Sequence, residues 1–198
     1  MPTALITGAT SGIGLHFAQR LATDGYDLVL VARTRDTLQK VAASLQLEHA
    51  VTCEVLRADL GRLADCRRVE NRLTDQPVDL LVNNAGLGLY DGDFVEHDLE
   101  AEDHLLMVNV RAVLRLTYAA LGPMLERGDG AIINVSSVAS FAPDPNAPTY
   151  AASKAWVTSF TEGLREQVNG SGVRLLALTP GLVPTEFQER AGVQARVP

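Results

Sequence analysis

Of the 17 basic residues in this 198-residue chain only two are lysines, Lys40 and Lys154, and acidic residues outnumber the bases to leave a net charge of −7. Such a balance argues against nucleic acid as the main partner, because phosphate binding needs a concentrated basic surface. Cysteine is as scarce. Cys53 and Cys66 are far apart and form no CxxC pair, so buried or partly buried thiols are expected rather than a disulfide or a metal pair. No apolar run approaches the length of a membrane span. The opening MPTALITGAT has no basic region followed by a cleavable apolar stretch; no signal peptide is expected, and the expected compartment is the cytoplasm. His97 and His104, in EHDLEAEDH, are seven residues apart, which suits no common ligand pattern. A solvated helix start is the expected reading, and no metal is assigned.

What the chain does have is alternation. ALITG, DLVLVA, VTCEVL, DLLVN, AIINVS and VRLLAL are short, nearly continuous apolar runs, as in strands buried on both faces of a parallel sheet. Helical stripes lie between them: Leu38, Val41, Ala42 and Leu45, then Leu63, Cys66, Val69 and Leu73. Longer helices are expected over about 101–126 and 150–169. Six strand–helix alternations with short connections predict one doubly wound α/β domain over 1–198, with ligands at the carboxyl ends of the strands.

The first strand runs into TGATSGIG and then a helix carrying Phe17, Ala18, Leu21 and Ala22. Gly8, Gly12 and Gly14, with Thr10, Ser11 and Ile13 between them, allow a tight turn whose N–H groups and helix terminus face a pyrophosphate. The spacing is GxxxGxG, and no GK[ST] follows to make it a Walker A loop. The second strand ends VLVARTR, with Ala32 and Arg33 where an NAD site usually has an acid for the ribose 2′-hydroxyl. A guanidinium holds a 2′-phosphate by paired charge-assisted bonds, so NADP is expected over NAD.

In order along the chain stand TGATSGIG, NNAG at Asn83 to Gly86, INVSS at Ile133 to Ser137, YAASK at Tyr150 to Lys154, and PGLVPT at Pro180 to Thr185. Together they resemble the short-chain dehydrogenase/reductase family over residues 3 to about 187. The resemblance implies a Rossmann-type sheet of about six strands in the order 3-2-1-4-5-6, and hydride transfer between NADPH and a ketone, aldehyde or secondary alcohol. Tyr150 would be the general acid or base. Lys154, one helical turn on, would lower the phenol's pKa and hold the nicotinamide ribose. Ser137 would orient the substrate carbonyl; Ser136 is its neighbour, but adjacent strand side chains point to opposite faces. Asn109 shares a helical face with Leu105, Ala112 and Leu116, a polar amide on an apolar stripe that needs partners if buried. The resemblance gives it the shaping of that helix and a water relay to the lysine. It also places Asp59 and Leu60 near the adenine, Asn84, Ala85 and Gly86 along the adenosine, and Val183 and Thr185 at the nicotinamide carboxamide and phosphates.

Family members usually continue past this PG segment through a substrate lid, a helix and a final strand, whereas this sequence stops at AGVQARVP. The loop VASFAPDPNAPT, with three prolines, is expected to form one wall of the substrate pocket, and Leu87, Leu89 and Tyr90 another. Two other readings share the scaffold: a catalytically silent NADP-binding regulator, which the intact Ser–Tyr–Lys–Asn set opposes, and an epimerase or dehydratase, for whose larger substrate domain the chain has no room. By analogy with the family, the two long helices are expected faces of a homodimer or homotetramer.

Overall fold

The computed structural model describes residues 1–90, 92–181, 183 and 191. Six parallel strands form one sheet in the order β3-β2-β1-β4-β5-β6: β1 (Thr3–Thr7), β2 (Asp27–Ala32), β3 (Cys53–Arg57), β4 (Leu80–Asn83), β5 (Gly130–Val135) and β6 (Val173–Leu178). Crossing between them are α1 (Gly12–Thr23), α2 (Arg35–His49), α3 (Leu63–Asp75), α4 (Leu99–Leu106), α5 (Val113–Arg127) and α6 (Pro148–Gln167). Parallel neighbours need a crossover, and the apolar runs leave both sheet faces to be covered.

The period of two along each strand sorts the core into two halves. Leu5, Leu81, Ile132 and Leu175 pack against Cys66, Val69 and Leu73 of α3 and Leu116, Ala120 and Met124 of α5. Ala4, Ile6, Leu28, Leu30 and Val82 pack on the other face against Ala18, Leu21 and Ala22 of α1 and Leu38, Ala42 and Leu45 of α2. One expected stripe member does not join: Leu63, at the first position of α3, remains exposed. At the sheet's β6 edge, Arg174 and Leu176 are exposed while Val173 and Leu175 are buried.

Helix α4 runs into α5 without a break through a π-helical stretch, Met107–Ala112. The resulting 29-residue segment, Leu99–Arg127, is long and apolar enough to cross a membrane by length and composition, contrary to the expectation that no run comes close. Its apolar residues, however, form a buried stripe of Leu105, Ala112, Leu116, Ala120 and Met124, and Arg115 on its flank pairs with Glu70 of α3. That is the pattern of a core helix.

Candidate active site

The order reverses between β1 and β4, and their carboxyl ends are tied together by Thr7. Its hydroxyl accepts from the backbone N–H groups of Asn84 (2.9 Å) and Ala85 (3.0 Å) and lies 3.4 Å from the Val82 carbonyl. Asn84 Nδ2 returns to the Thr7 carbonyl at 2.9 Å. Above this seam the chain turns at Gly8, whose φ of 68° only glycine adopts readily and whose Cβ, had it one, would lie 2.8 Å from Asn84 Nδ2. Gly14 is buried behind the turn, where any side chain would overlap the Gly8 carbonyl and Asn84 Nδ2.

A cavity of about 800 Å³ runs along this edge of the sheet. Gly8, Thr10, Ser11, Gly12 and Ile13 line its floor, Arg33, Asp59 and Leu60 one end, Asn84, Ala85 and Gly86 its middle, and Ser137, Tyr150, Lys154 and Val183 the other end. Gly14 and Asn109 stand just behind the wall, and Thr185 lies outside the described residues. Thr34 and Thr37, which were not singled out from the sequence, also line the cavity, as do His104, read there as part of a solvated helix start, and Asp144, from the loop expected to form a pocket wall. Only the loop path and the helix orientation bring them there; Thr37 is legible in hindsight as one helical turn beyond Arg33.

At the Arg33 end, Arg57 Nε donates to the Arg33 carbonyl at 3.2 Å and so braces the exposed turn after β2. Asp59 Oδ1 accepts from Gly61 N at 3.1 Å and lies 3.8 Å from His104 Nε2. His104 is therefore a cavity residue packed over Gly61, and His97 is buried against Glu102 at 2.6 Å. Neither sits in the solvated helix start expected of them. Cys53 is partly buried and Cys66 buried, both free, and burial foremost pushes the Cys66 thiol up to about 12.

At the other end Ser137 caps a 3-10 turn, Val138–Phe141, and its side chain hydrogen-bonds the Tyr150 phenol. Ser136 points away: its Oγ donates to the Lys154 carbonyl at 2.8 Å and meets Thr158 Oγ1 at 2.7 Å. Tyr150 is buried, with the Tyr90 ring 5.6 Å away. Lys154 Nζ passes 5.7 Å from the Tyr150 ring centroid and donates to the Val135 carbonyl at 2.9 Å. Asn109, in the π-helical stretch, is fully partnered. It accepts from Leu87 N at 2.8 Å, and its Nδ2 donates to Leu87 O at 2.9 Å and Ser153 Oγ at 3.0 Å. Ser153 in turn donates to the Tyr150 carbonyl at 2.7 Å. A side-chain amide thus ties the loop after β4 to the first turns of α6.

The charges differ from expectation in one respect. The lysine was expected to lower the tyrosine's pKa; instead burial raises it, with the Ser137 hydrogen bond pulling the other way. The lysine stem carries the ammonium past the phenol to the end of β5, where burial lowers its own pKa to about 8.

Residues 2–195 match the family described as short chain dehydrogenase, and the chain belongs to that family of NAD(P)-binding oxidoreductases. Among solved structures it resembles a short-chain dehydrogenase from Sphingobium yanoikuyae in complex with NADPH, at 42% identity and a TM-score of 0.94 over 98% of this chain and 76% of that one. The bulky-bulky ketone specific alcohol dehydrogenase from Comamonas testosteroni is similar at 39% identity and a TM-score of 0.89, covering 93% and 74%. Of the very-long-chain 3-oxoacyl-CoA reductase of Anas platyrhynchos, which it matches at 34% identity over 94% of its own length, the chain spans 61%.

Proposed function

We propose that this chain is an NADP-preferring carbonyl reductase or alcohol dehydrogenase that uses Tyr150 as its general acid and base. The observation that carries the reading is one continuous cavity with Arg33 at one end and Ser137, Tyr150 and Lys154 at the other. Its residues suit a dinucleotide. Gly8 and Gly12 have positive φ in a strand–turn–helix cradle, and a Cβ on Gly14 would lie 2.3 Å from the Gly8 carbonyl oxygen, so the turn stays open only with glycine there. Arg33 would hold the 2′-phosphate, the 8–13 turn the pyrophosphate, and Lys154 the nicotinamide ribose.

When bound, the nicotinamide supplies or accepts the hydride. The chain's residues supply the rest. Ser137 Oγ donates to the substrate carbonyl oxygen and orients it, and Tyr150 Oη delivers its proton to that same oxygen. The phenol, its pKa raised by burial, holds its proton at neutral pH and so enters a reduction in its acid form. Lys154 keeps an ammonium beside the phenol as the proton leaves. Asn109, through Leu87 and Ser153, holds the two segments in register.

The reading is tested by titrating NADPH and NADH at one fixed salt concentration, then assaying ketone reduction. Tighter NADPH binding that falls about tenfold or more in Arg33→Ala, with NADH little changed, is the expected result. A preference for NADH overturns the NADP reading. Cofactor binding with no turnover of any carbonyl compound leaves a silent binding protein instead.

A further inference from the structure

The described cavity residues that can carry charge fall into two groups. Arg33, Asp59 and His104 stand at the β2–β3 end, while Lys154 and Asp144 stand at the β5–α6 end. Lys154 is the one positive charge there, its buried Nζ donating to the Val135 carbonyl at the end of β5. Asp144 therefore supplies the one negative charge among the described residues around the space in front of Tyr150, whose remaining walls include Leu87, Val138, Ala139 and Pro180. Its position is fixed. Oδ1 accepts from Asn146 N at 3.0 Å and from Asn146 Nδ2 at 3.3 Å, and its carbonyl accepts from Ala147 N at 3.3 Å, one residue before α6 begins. Its charge reaches across the space to the Tyr90 phenol, whose pKa is raised by burial first and then by Tyr150 and Asp144.

Resting on the carbonyl-reductase reading, we propose that Asp144 sets a charge filter on the substrate half of the cavity, which admits carbonyl compounds that are neutral or cationic in the part beside Tyr150 and rejects those that are anionic there. The carboxylate is half-buried beside an apolar wall, where an anion entering the pocket loses water and meets a like charge at close range. A repulsion between surface-type dielectric and full burial corresponds to about tenfold or more in kcat/KM.

The probes are acetophenone, its 4-carboxylate and its 4-aminomethyl analogue, each assayed by NADPH oxidation at pH 7 and fixed ionic strength. In the unaltered protein the carboxylate is expected at about one tenth or less of the neutral ketone's kcat/KM. Asp144→Asn retains the Oδ1 acceptor that holds the loop, so the fold is kept. It is expected to raise the carboxylate-to-neutral ratio at least about threefold and lower the ammonium-to-neutral ratio, while Asp144→Glu restores both. Equal turnover of carboxylate and neutral ketone, or ratios that do not move in Asp144→Asn, overturns the filter alone. No reduction of any ketone by the NADPH-bound protein overturns the reductase reading and the filter with it.

Discussion

Replacing Lys154 by methionine is expected to stabilise the cofactor-free fold at neutral pH. The lysine is 5% exposed, and burial takes its pKa from 10.5 to about 8. That drop, about 2.5 pH units at 1.36 kcal/mol each, makes the buried ammonium cost about 3 kcal/mol. Methionine fills the volume of the stem but loses the bond to the Val135 carbonyl, which sets about 1–2 kcal/mol against the gain. A net stabilisation of about 1–2 kcal/mol remains. The sign follows from linkage. Below pH 8 the lysine is charged folded and unfolded, and the whole cost is present; between 8 and 10.5 the folded chain binds fewer protons than the unfolded chain, so the cost shrinks as pH rises. Urea denaturation of both proteins without cofactor, at pH 7 and near pH 10, reads the difference. The Lys154→Met midpoint should be the higher at pH 7, with the gap closed near pH 10. A variant less stable at pH 7, or a gap indifferent to pH, refutes the reasoning. Reductase activity should be lost in the same variant, which makes the residue one that stability alone would discard.

Tyr150→Phe should cut kcat by about 10²–10⁴ while leaving NADPH affinity within about twofold, as measured by steady-state kinetics and titration. Because burial holds the phenol protonated, reduction should persist through neutral pH and fall only in the alkaline range, with alcohol oxidation rising there, in paired pH–rate profiles. Asn109→Leu strands both backbone groups of Leu87 and should destabilise the fold by about 2–4 kcal/mol in urea. Leu114, Tyr118 and Leu125 leave an apolar stripe exposed on the outer face of α5, so sedimentation should show a homo-oligomer that Tyr118→Glu dissociates.

Strands were the most legible part of the sequence. DLVLVA and VRLLAL correspond residue for residue to β2 and β6: burial on both faces leaves β2 little room for polar interruptions, while β6, at the edge, buries alternate residues and tolerates Arg174. The face shared by Leu105, Asn109, Ala112 and Leu116 was equally readable from spacing. The π-helical stretch was not, because one additional residue per turn hardly disturbs an apolar stripe of four. His97 and His104 were misplaced since charge density reads as solvent exposure, whereas a buried His–Glu pair and an imidazole over a glycine depend on where the chain turns before α4. Spacing likewise put Lys154 on the face of Tyr150 but carried no information on how far its stem would reach or how dry its end would be.

The Thr7 hydroxyl joins atoms 77 residues apart in sequence when it accepts the Asn84 amide. β1 can pair with β2 as soon as about thirty residues are available, but its other edge must wait for β4, with β2, β3 and three helices already intervening. The crevice is therefore complete only where the two halves of the sheet meet. A dinucleotide lying across it would touch both halves, so cellular cofactor supply would act as a template for the last assembly step as well as a reactant.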